Sequence, residues 1–233
     1  MAAVTGDGTE AVLKVQEPHR ESEHEAAALE LWDGHGAIRL LDHDPDEHAL
    51  LLERCVPGTP LSEVGQDTAL DVFVELLPRL WKPAGEPFRP LADEAAWWVE
   101  YLPKQDWSKA PELLDAALEA LRELPGTQGE QVLVNQDLHA ENVLAAQREP
   151  WLVIDPKPLA GEREFGVAPI VRSFELGHSK RDVLHRFDRL TSELGLDRER
   201  ARGWTIAQTV AWTSDSTYHS RHAETARWLL ESR

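Results

Sequence analysis

The sequence predicts an α+β chain built in two unequal parts. Three observations carry that expectation. Over the first sixty residues, short apolar runs rich in strand formers surround a single helical stretch. At Val56-Pro57-Gly58-Thr59-Pro60, two prolines and a glycine interrupt all regular periodicity. Beyond that point apolar residues recur at helical spacing almost to the end of the chain. The expected division is therefore 1–56 and 57–233.

In the first part, Asp7-Gly8 is a hairpin-turn signal, because glycine accepts positive φ. Val12, Leu13 and Val15 make the following strand, and Lys14 sits within it. Gly6-x-Gly8-x-x-Ala11 resembles a dinucleotide fingerprint only superficially, since a strand and not a helix follows. Ser22 is placed to cap a helix with Glu23 and Glu25 in its first turn, and Gly34 is placed to end it. His24-Glu25 does not open a zinc-protease helix, because Ala28 stands where the second histidine is needed. Ala37–Leu41 and Ala49–Arg54 read as strands across a turn-rich Asp42–His48.

In the second part, Leu70, Phe73, Val74, Leu77 and Leu80 share one helix face, and Leu113, Ala117, Leu118 and Leu121 share another. Trp97, Trp98 and Tyr101 read as core aromatics. Further helices are expected over Ala168–Leu176, Asp182–Leu194, Arg198–Ser214 and Ser220–Glu231.

Composition narrows the function. With 42 acids against 24 Lys and Arg among 233 residues, the net charge is −18. Such a chain repels phosphate backbones and anionic lipid, which excludes nucleic acid and membrane surfaces as expected partners. It favours a cationic or neutral small molecule. The one cysteine, Cys55, excludes a disulfide framework and any multi-cysteine zinc site. No apolar run approaches the ~20 residues of a membrane helix, and Met1–Glu10 has neither the basic start nor the apolar core of a signal peptide. The expected location is cytoplasmic.

The chemistry concentrates in one stretch. An apolar strand, Val132-Leu133-Val134, runs into Asn135-Gln136-Asp137-Leu138-His139-Ala140-Glu141-Asn142, and a second strand follows. After it, Trp151-Leu152-Val153-Ile154 ends in Asp155-Pro156-Lys157-Pro158. Phosphoryl transfer needs an acid to orient the acceptor hydroxyl and oxygen ligands for Mg²⁺. Asp137 fits the first role as catalytic residue, and Asn142 with Asp155 fits the second as metal ligands. Asp-x4-Asn is the spacing of a kinase catalytic loop. Lys14 on a strand and Glu25 on the next helix complete the ion pair that such a site uses to hold phosphate oxygens. His139 sits inside the loop and reads as a structural hydrogen-bonding residue. His139-x-Glu141 is not a deaminase motif, because Pro-Cys-x-x-Cys is absent.

These motifs resemble the aminoglycoside phosphotransferases over essentially the whole chain from Val12 onward. The streptomycin and hydroxyurea kinase branch is most similar, through Ile154-Asp155-Pro156-Lys157-Pro158 and Leu31-Trp32-Asp33-Gly34. The resemblance implies a protein-kinase-like fold, with a small antiparallel sheet lobe and a mainly helical lobe. It also implies ATP and Mg²⁺ as cofactors, with adenine against the backbone near Glu53, Cys55 and Val56. The implied reaction is phosphorylation of a small-molecule hydroxyl, on an aminoglycoside or hydroxyurea, as antibiotic resistance. Kinases of other small metabolites and nucleotide-binding pseudokinases share the same pattern. Relatives read His-Gly where this chain has Asn135-Gln136, and many carry an acid where it has Gly166. Only thirteen residues precede Lys14, so the resemblance also implies that the phosphate-covering front of the small lobe is truncated.

Overall fold

A four-stranded antiparallel sheet forms the first part of the chain in the computed structural model, which describes residues 2–6, 9–17, 19–213 and 219–232. Its strands are β1 (Ala2–Gly6), β2 (Thr9–Val15), β3 (Leu40–Asp44) and β4 (Ala49–Glu53), in the order β1-β2-β4-β3. The Asp7-Gly8 turn signal lies outside the described residues. Within β2, Val12 and Lys14 share a face, as the two-residue period of a strand requires. The register places Lys14 opposite Leu50 and Val12 opposite Leu52.

Helix α1 (Glu25–Trp32) crosses this sheet. It begins two residues later than a Ser22 cap suggests, with His24 at the cap position. The Ser22 hydroxyl instead donates to the His19 carbonyl at 3.2 Å and closes a separate turn. Asp33, at φ 46°, and Gly34, at φ 76°, end the helix in the left-handed region. The third strand also shifts along the chain. Ile38 N–H donates to the Val153 carbonyl at 3.0 Å, and Val153 N–H donates to the Gly36 carbonyl at 2.9 Å. Residues 36–38 are therefore engaged by the second part, and β3 forms from the polar, exposed Leu40–Asp44.

The second part contains α2 (Gln66–Leu80), α3 (Leu91–Tyr101), α4 (Pro111–Glu123), α5 (Ala168–Arg172), α6 (Lys180–Glu193), α7 (Arg198–Ala211) and α8 (His219–Glu231). Two small antiparallel pairs accompany them. One joins β5 (Val132–Asn135) to β8 (Pro158–Gly161), and the other joins β6 (Val143–Ala145) to β7 (Trp151–Val153). Helix α7 is the inner element, with Trp204, Ala207 and Val210 buried. Trp204 meets Phe165 edge-on at 5.7 Å, and Phe165 stacks with Trp98 at 6.3 Å. Trp97 is a correction to the core reading. It is 43% exposed, stacks on Tyr101 at 4.9 Å, and carries the Arg20 guanidinium 4.6 Å from its ring.

Helix α5 stops at Arg172, four residues earlier than its apolar pattern suggests. The fully buried Arg186 of α6 explains this. Its guanidinium donates to the carbonyls of Val171, Ser173, Leu176 and Gly177, at 3.3, 2.9, 3.1 and 2.9 Å. Satisfying this buried guanidinium holds residues 173–177 in an irregular path in place of further helix. Gly166 is equally constrained. A Cβ there would lie 2.9 Å from Trp81 Nε1, so any side chain at this position must displace the indole.

Candidate active site

The residues singled out in the sequence fall into two adjoining groups. The first lines a cavity of about 310 Å³ between the sheet and the second part. Val12, Ile38, Leu52, Cys55, Leu144 and Ile154 give it apolar walls, and Lys14, Glu25 and Asp155 form its polar end. Lys14 Nζ donates to both Glu25 oxygens, at 2.7 and 2.6 Å, and also pairs with Asp155. Gln16 Nε2 adds a 3.0 Å bond to Glu25. Burial pushes the Glu25 carboxyl above its ordinary pKa, against the opposing pull of Lys14.

Glu53 lines the same cavity, but its carboxylate is already engaged. It accepts from Arg148 Nε and Nη2, both at 2.8 Å, and from Arg39 N–H at 2.9 Å. Burial works to raise its pKa, and these donors hold it below the usual range. Only the backbone of Glu53 is left to face a ligand. Burial, then the nearby Glu53 charge, push the Cys55 thiol up to about 11.

Asp155 follows β7 at φ 49°, in the left-handed region where an aspartate is tolerated but not at rest. It is flanked by Ile154, whose N–H donates to the Asn142 carbonyl at 2.9 Å, and by Pro156, which favours extended backbone in the residue before it, so this conformation is held against a local preference.

The second group surrounds Asp137. The Asn135 side-chain oxygen accepts from Asp137 N–H at 3.0 Å and from Lys157 N–H at 2.9 Å, which registers the two residues to each other. Lys157 Nζ then lies 2.7 Å from Asp137 Oδ2, and Arg172 Nη2 lies 3.1 Å from Asp137 Oδ1. Lys157 also approaches Glu21 at 3.5 Å. Burial disfavours the Lys157 ammonium, yet the Asp137 charge, its hydrogen bond and then Glu21 hold its pKa above the ordinary value. Arg172 is pinned over the Trp212 ring at 4.0 Å, and burial lowers its pKa.

Asn142 joins the two groups. Its Nδ2 donates to the Asp137 carbonyl at 3.0 Å, which leaves the amide oxygen as the end able to meet a cation. His139 has a hydrogen-bonding place in the loop, its Nε2 3.2 Å from Asn142 Nδ2, and it also reaches outside the loop, its Nδ1 3.3 Å from Glu175 Oε1. Glu175 also accepts from Ala140 N–H at 2.9 Å. Burial would raise its pKa, but His139 and the backbone donors bring it down to about 2.

Among the described residues no cluster of three His, Cys, Asp or Glu could cage a metal. One carboxylate and one amide oxygen suit Mg²⁺, which takes few protein ligands and completes its shell with phosphate oxygens and water. A wider cleft of about 680 Å³ runs along α1 against the β3–β4 turn and is lined by residues such as His19, His24, His43 and His48. It touches none of Asp137, Asn142 and Asp155.

Sequence reasoning assigned no role to Lys157 or Arg172. Both left a signal. Lys157 is a lone charge held between prolines 156 and 158, directly before the apolar strand β8. Arg172 is a lone charge after the apolar run Ala168–Val171, and a buried charge needs a partner.

A sheet part and a helical part with an ion-paired lysine at their junction, beside an Asp-x4-Asn loop, define the class as a protein-kinase-like phosphotransferase. The sequence profile of the family described as aminoglycoside/hydroxyurea antibiotic resistance kinase matches residues 1–218, and the chain belongs to that family. It is 43% identical over 220 residues to a streptomycin 6-kinase of Streptomyces glaucescens, covering 88% of this chain and 71% of that one. It is also 43% identical over 219 residues to a hydroxyurea phosphotransferase of Kitasatospora aureofaciens, covering 90% and 63%. The fold is similar to choline kinase LicA from Streptococcus pneumoniae, with TM-score 0.70, 13% identity and coverage of 98% and 89%. It is similar too to aminoglycoside phosphotransferase APH(4)-Ia, with TM-score 0.65, 16% identity and coverage of 97% and 85%. The chain is thus a kinase of small molecules, and its family implies use of a nucleotide. Among the described residues no helix is long and apolar enough to cross a membrane.

Proposed function

We propose that the chain transfers the terminal phosphoryl group of ATP, with Mg²⁺, to a hydroxyl of a streptomycin-like aminoglycoside or of hydroxyurea. The observation that carries this reading is the meeting of Lys14, Glu25 and Asp155 at the polar end of one apolar-walled cavity. Residues 1–56 supply most of the nucleotide side of that cavity, and residues 57–233 supply the catalytic loop and the acceptor side. In this reading the backbone around Glu53 and Cys55 faces adenine, Lys14 faces phosphate oxygens, and Glu25 orients Lys14. Asn142 and Asp155 hold the metal, which would neutralise phosphate charge. Asp137 orients the acceptor hydroxyl and takes its proton. The net charge of −18 favours a cationic or neutral acceptor over an anionic one.

The test is ADP release with ATP and an acceptor panel of streptomycin, hydroxyurea and choline, with and without Mg²⁺. Mg²⁺-dependent turnover of streptomycin or hydroxyurea, with a phosphorylated product, supports the reading. Turnover of choline alone would reassign the acceptor. No Mg²⁺-dependent turnover with any of them would sink it.

A further inference from the structure

We infer that Lys157 is a second catalytic cation of this site, which leaves Asp137 for the terminal phosphoryl group of the bound nucleotide. The inference rests on the phosphotransferase reading above.

Three observations lead to it. First, the position of Lys157 is over-determined from the backbone outward. Prolines flank it, its N–H donates to Asn135 Oδ1 at 2.9 Å, and its carbonyl accepts from Gln136 N–H at 3.0 Å. The same Asn135 oxygen holds Asp137 N–H at 3.0 Å, so the lysine and the aspartate are set as a unit.

Second, Asp137 already has a counter-ion. Arg172 is 3.1 Å away, and its guanidinium is fixed against Trp212 at 4.0 Å. Arg172 approaches Oδ1 and Lys157 approaches Oδ2, so Asp137 keeps a fixed cationic partner when Lys157 moves away.

Third, Lys157 is the cation of the pair that is free to move. Its side chain is 20% exposed against 9% for Arg172. Its ammonium is 5.3 Å from the Trp212 ring, and its stem is flexible with three donors at the tip. Lys14, the other lysine near the catalytic loop, is committed to Glu25 and Asp155.

The transferring group spreads its charge over its peripheral oxygens, where a positioned ammonium is most effective. In the step, the acceptor oxygen forms a new bond to the terminal phosphorus. The bond from that phosphorus to the bridging oxygen breaks, and its electron pair leaves with ADP. The acceptor proton passes to Asp137. Lys157 keeps its protons and moves only from the Asp137 carboxylate to a phosphoryl oxygen, while Arg172 stays on Asp137.

The experiment compares the parent with Lys157→Met and Lys157→Arg in two assays. In steady-state kinetics, Lys157→Met should lose ~10²-fold or more in kcat with KM for ATP within a few-fold, and Lys157→Arg should recover part of the loss. In calorimetry without acceptor, Lys157→Met should bind Mg²⁺-tripolyphosphate ~10-fold more weakly, with AMP affinity unchanged. A melting curve identifies a misfolded variant, in which case Lys157→Arg decides: full parental values in both assays then overturn the inference, and a partial loss in both supports it. For folded Lys157→Met, kcat within threefold of the parent overturns it, and so does unchanged tripolyphosphate affinity. A parent without turnover would overturn the functional reading instead, and tripolyphosphate binding alone would then decide the role of Lys157.

Discussion

Lys14 and Asp155 stand 141 positions apart in the chain and form an ion pair. The same ammonium holds Glu25 at 2.6 Å, so one lysine ties strand β2, helix α1 and the end of β7 together. The Lys14 and Glu25 side chains are both buried, and the Asp155 side chain is 42% exposed. The buried half of this relay is costly to break, because removal of one partner strands the other's charge.

Lys14→Met should accordingly destabilise the chain by ~3–5 kcal/mol, the range for breaking a buried pair. The double variant Lys14→Met, Glu25→Gln should be more stable than Lys14→Met alone, since the buried Glu25 charge is then gone and the Asp155 carboxylate, 42% exposed, is solvated. Urea unfolding measures both. Equal stability of the single and double variants would show that Glu25 is solvated without Lys14.

Asp137→Asn keeps the shape of the catalytic loop and removes the proton acceptor. Turnover should fall by ~10²-fold or more, the range for general-base catalysis. Nucleotide affinity should stay within a few-fold, because Asp137 does not line the apolar cavity. Steady-state kinetics and calorimetry separate the two quantities. Near-parental turnover would remove Asp137 from its assigned role.

Glu175 gives the loop a pH dependence with a definite sign. Its pKa is lowered from 4.5 to about 2 in the folded chain. A depressed carboxyl stabilises fully above its unfolded value and loses that contribution as pH falls through the folded one. The Glu175–His139 link should therefore contribute in full above about pH 4.5 and vanish towards pH 2. The stability difference between the parent and Glu175→Gln, measured by urea unfolding across that window, should shrink as pH falls. A difference that stays constant with pH would show that the charge of Glu175 is not what matters.

Cys55 provides a chemical probe of the cavity. With its thiol raised to about 11, roughly one molecule in a thousand is thiolate at pH 8, and the thiolate is the reactive form. Alkylation by iodoacetamide should be slow at pH 8 and accelerate about tenfold per pH unit. Because Cys55 is the one cysteine of the chain, mass spectrometry reads a single adduct. Bound ATP should slow labelling further, and equal rates with and without ATP would place the nucleotide elsewhere.

The strands and helices that present the site were legible because their patterns are local. Val12 to Val15 alternates as a strand, the α2 and α4 faces repeat at helical spacing, and Asp137-x4-Asn142 lies within a single loop. The misreadings share one cause. Ala37 and Ile38 have the composition of a strand, yet backbone bonds to Val153 and its neighbours move the strand onto the polar residues 40–44. The helix after Ala168 stops short where Arg186, 10 to 15 positions away in sequence, donates to the Leu176, Ser173 and Val171 carbonyls. Trp97 has the chemistry of a core residue and lies on the surface under Arg20.

The sequence alone singled out candidate residues by type and short spacing, which set what a loop or a strand can present. It named Lys14, Glu25, Asp137, Asn142 and Asp155 and the family to which they point. Only the tertiary structure decided which groups face one another. It closed Lys14 on Asp155, gave Asp137 two cations from separate segments, and spent the Glu53 carboxylate on Arg148. The physical reason is distance along the chain. Ion pairs and hydrogen bonds act over a few ångströms in space, and residues 20 to 141 positions apart reach that range only after burial of the apolar core has packed the elements together.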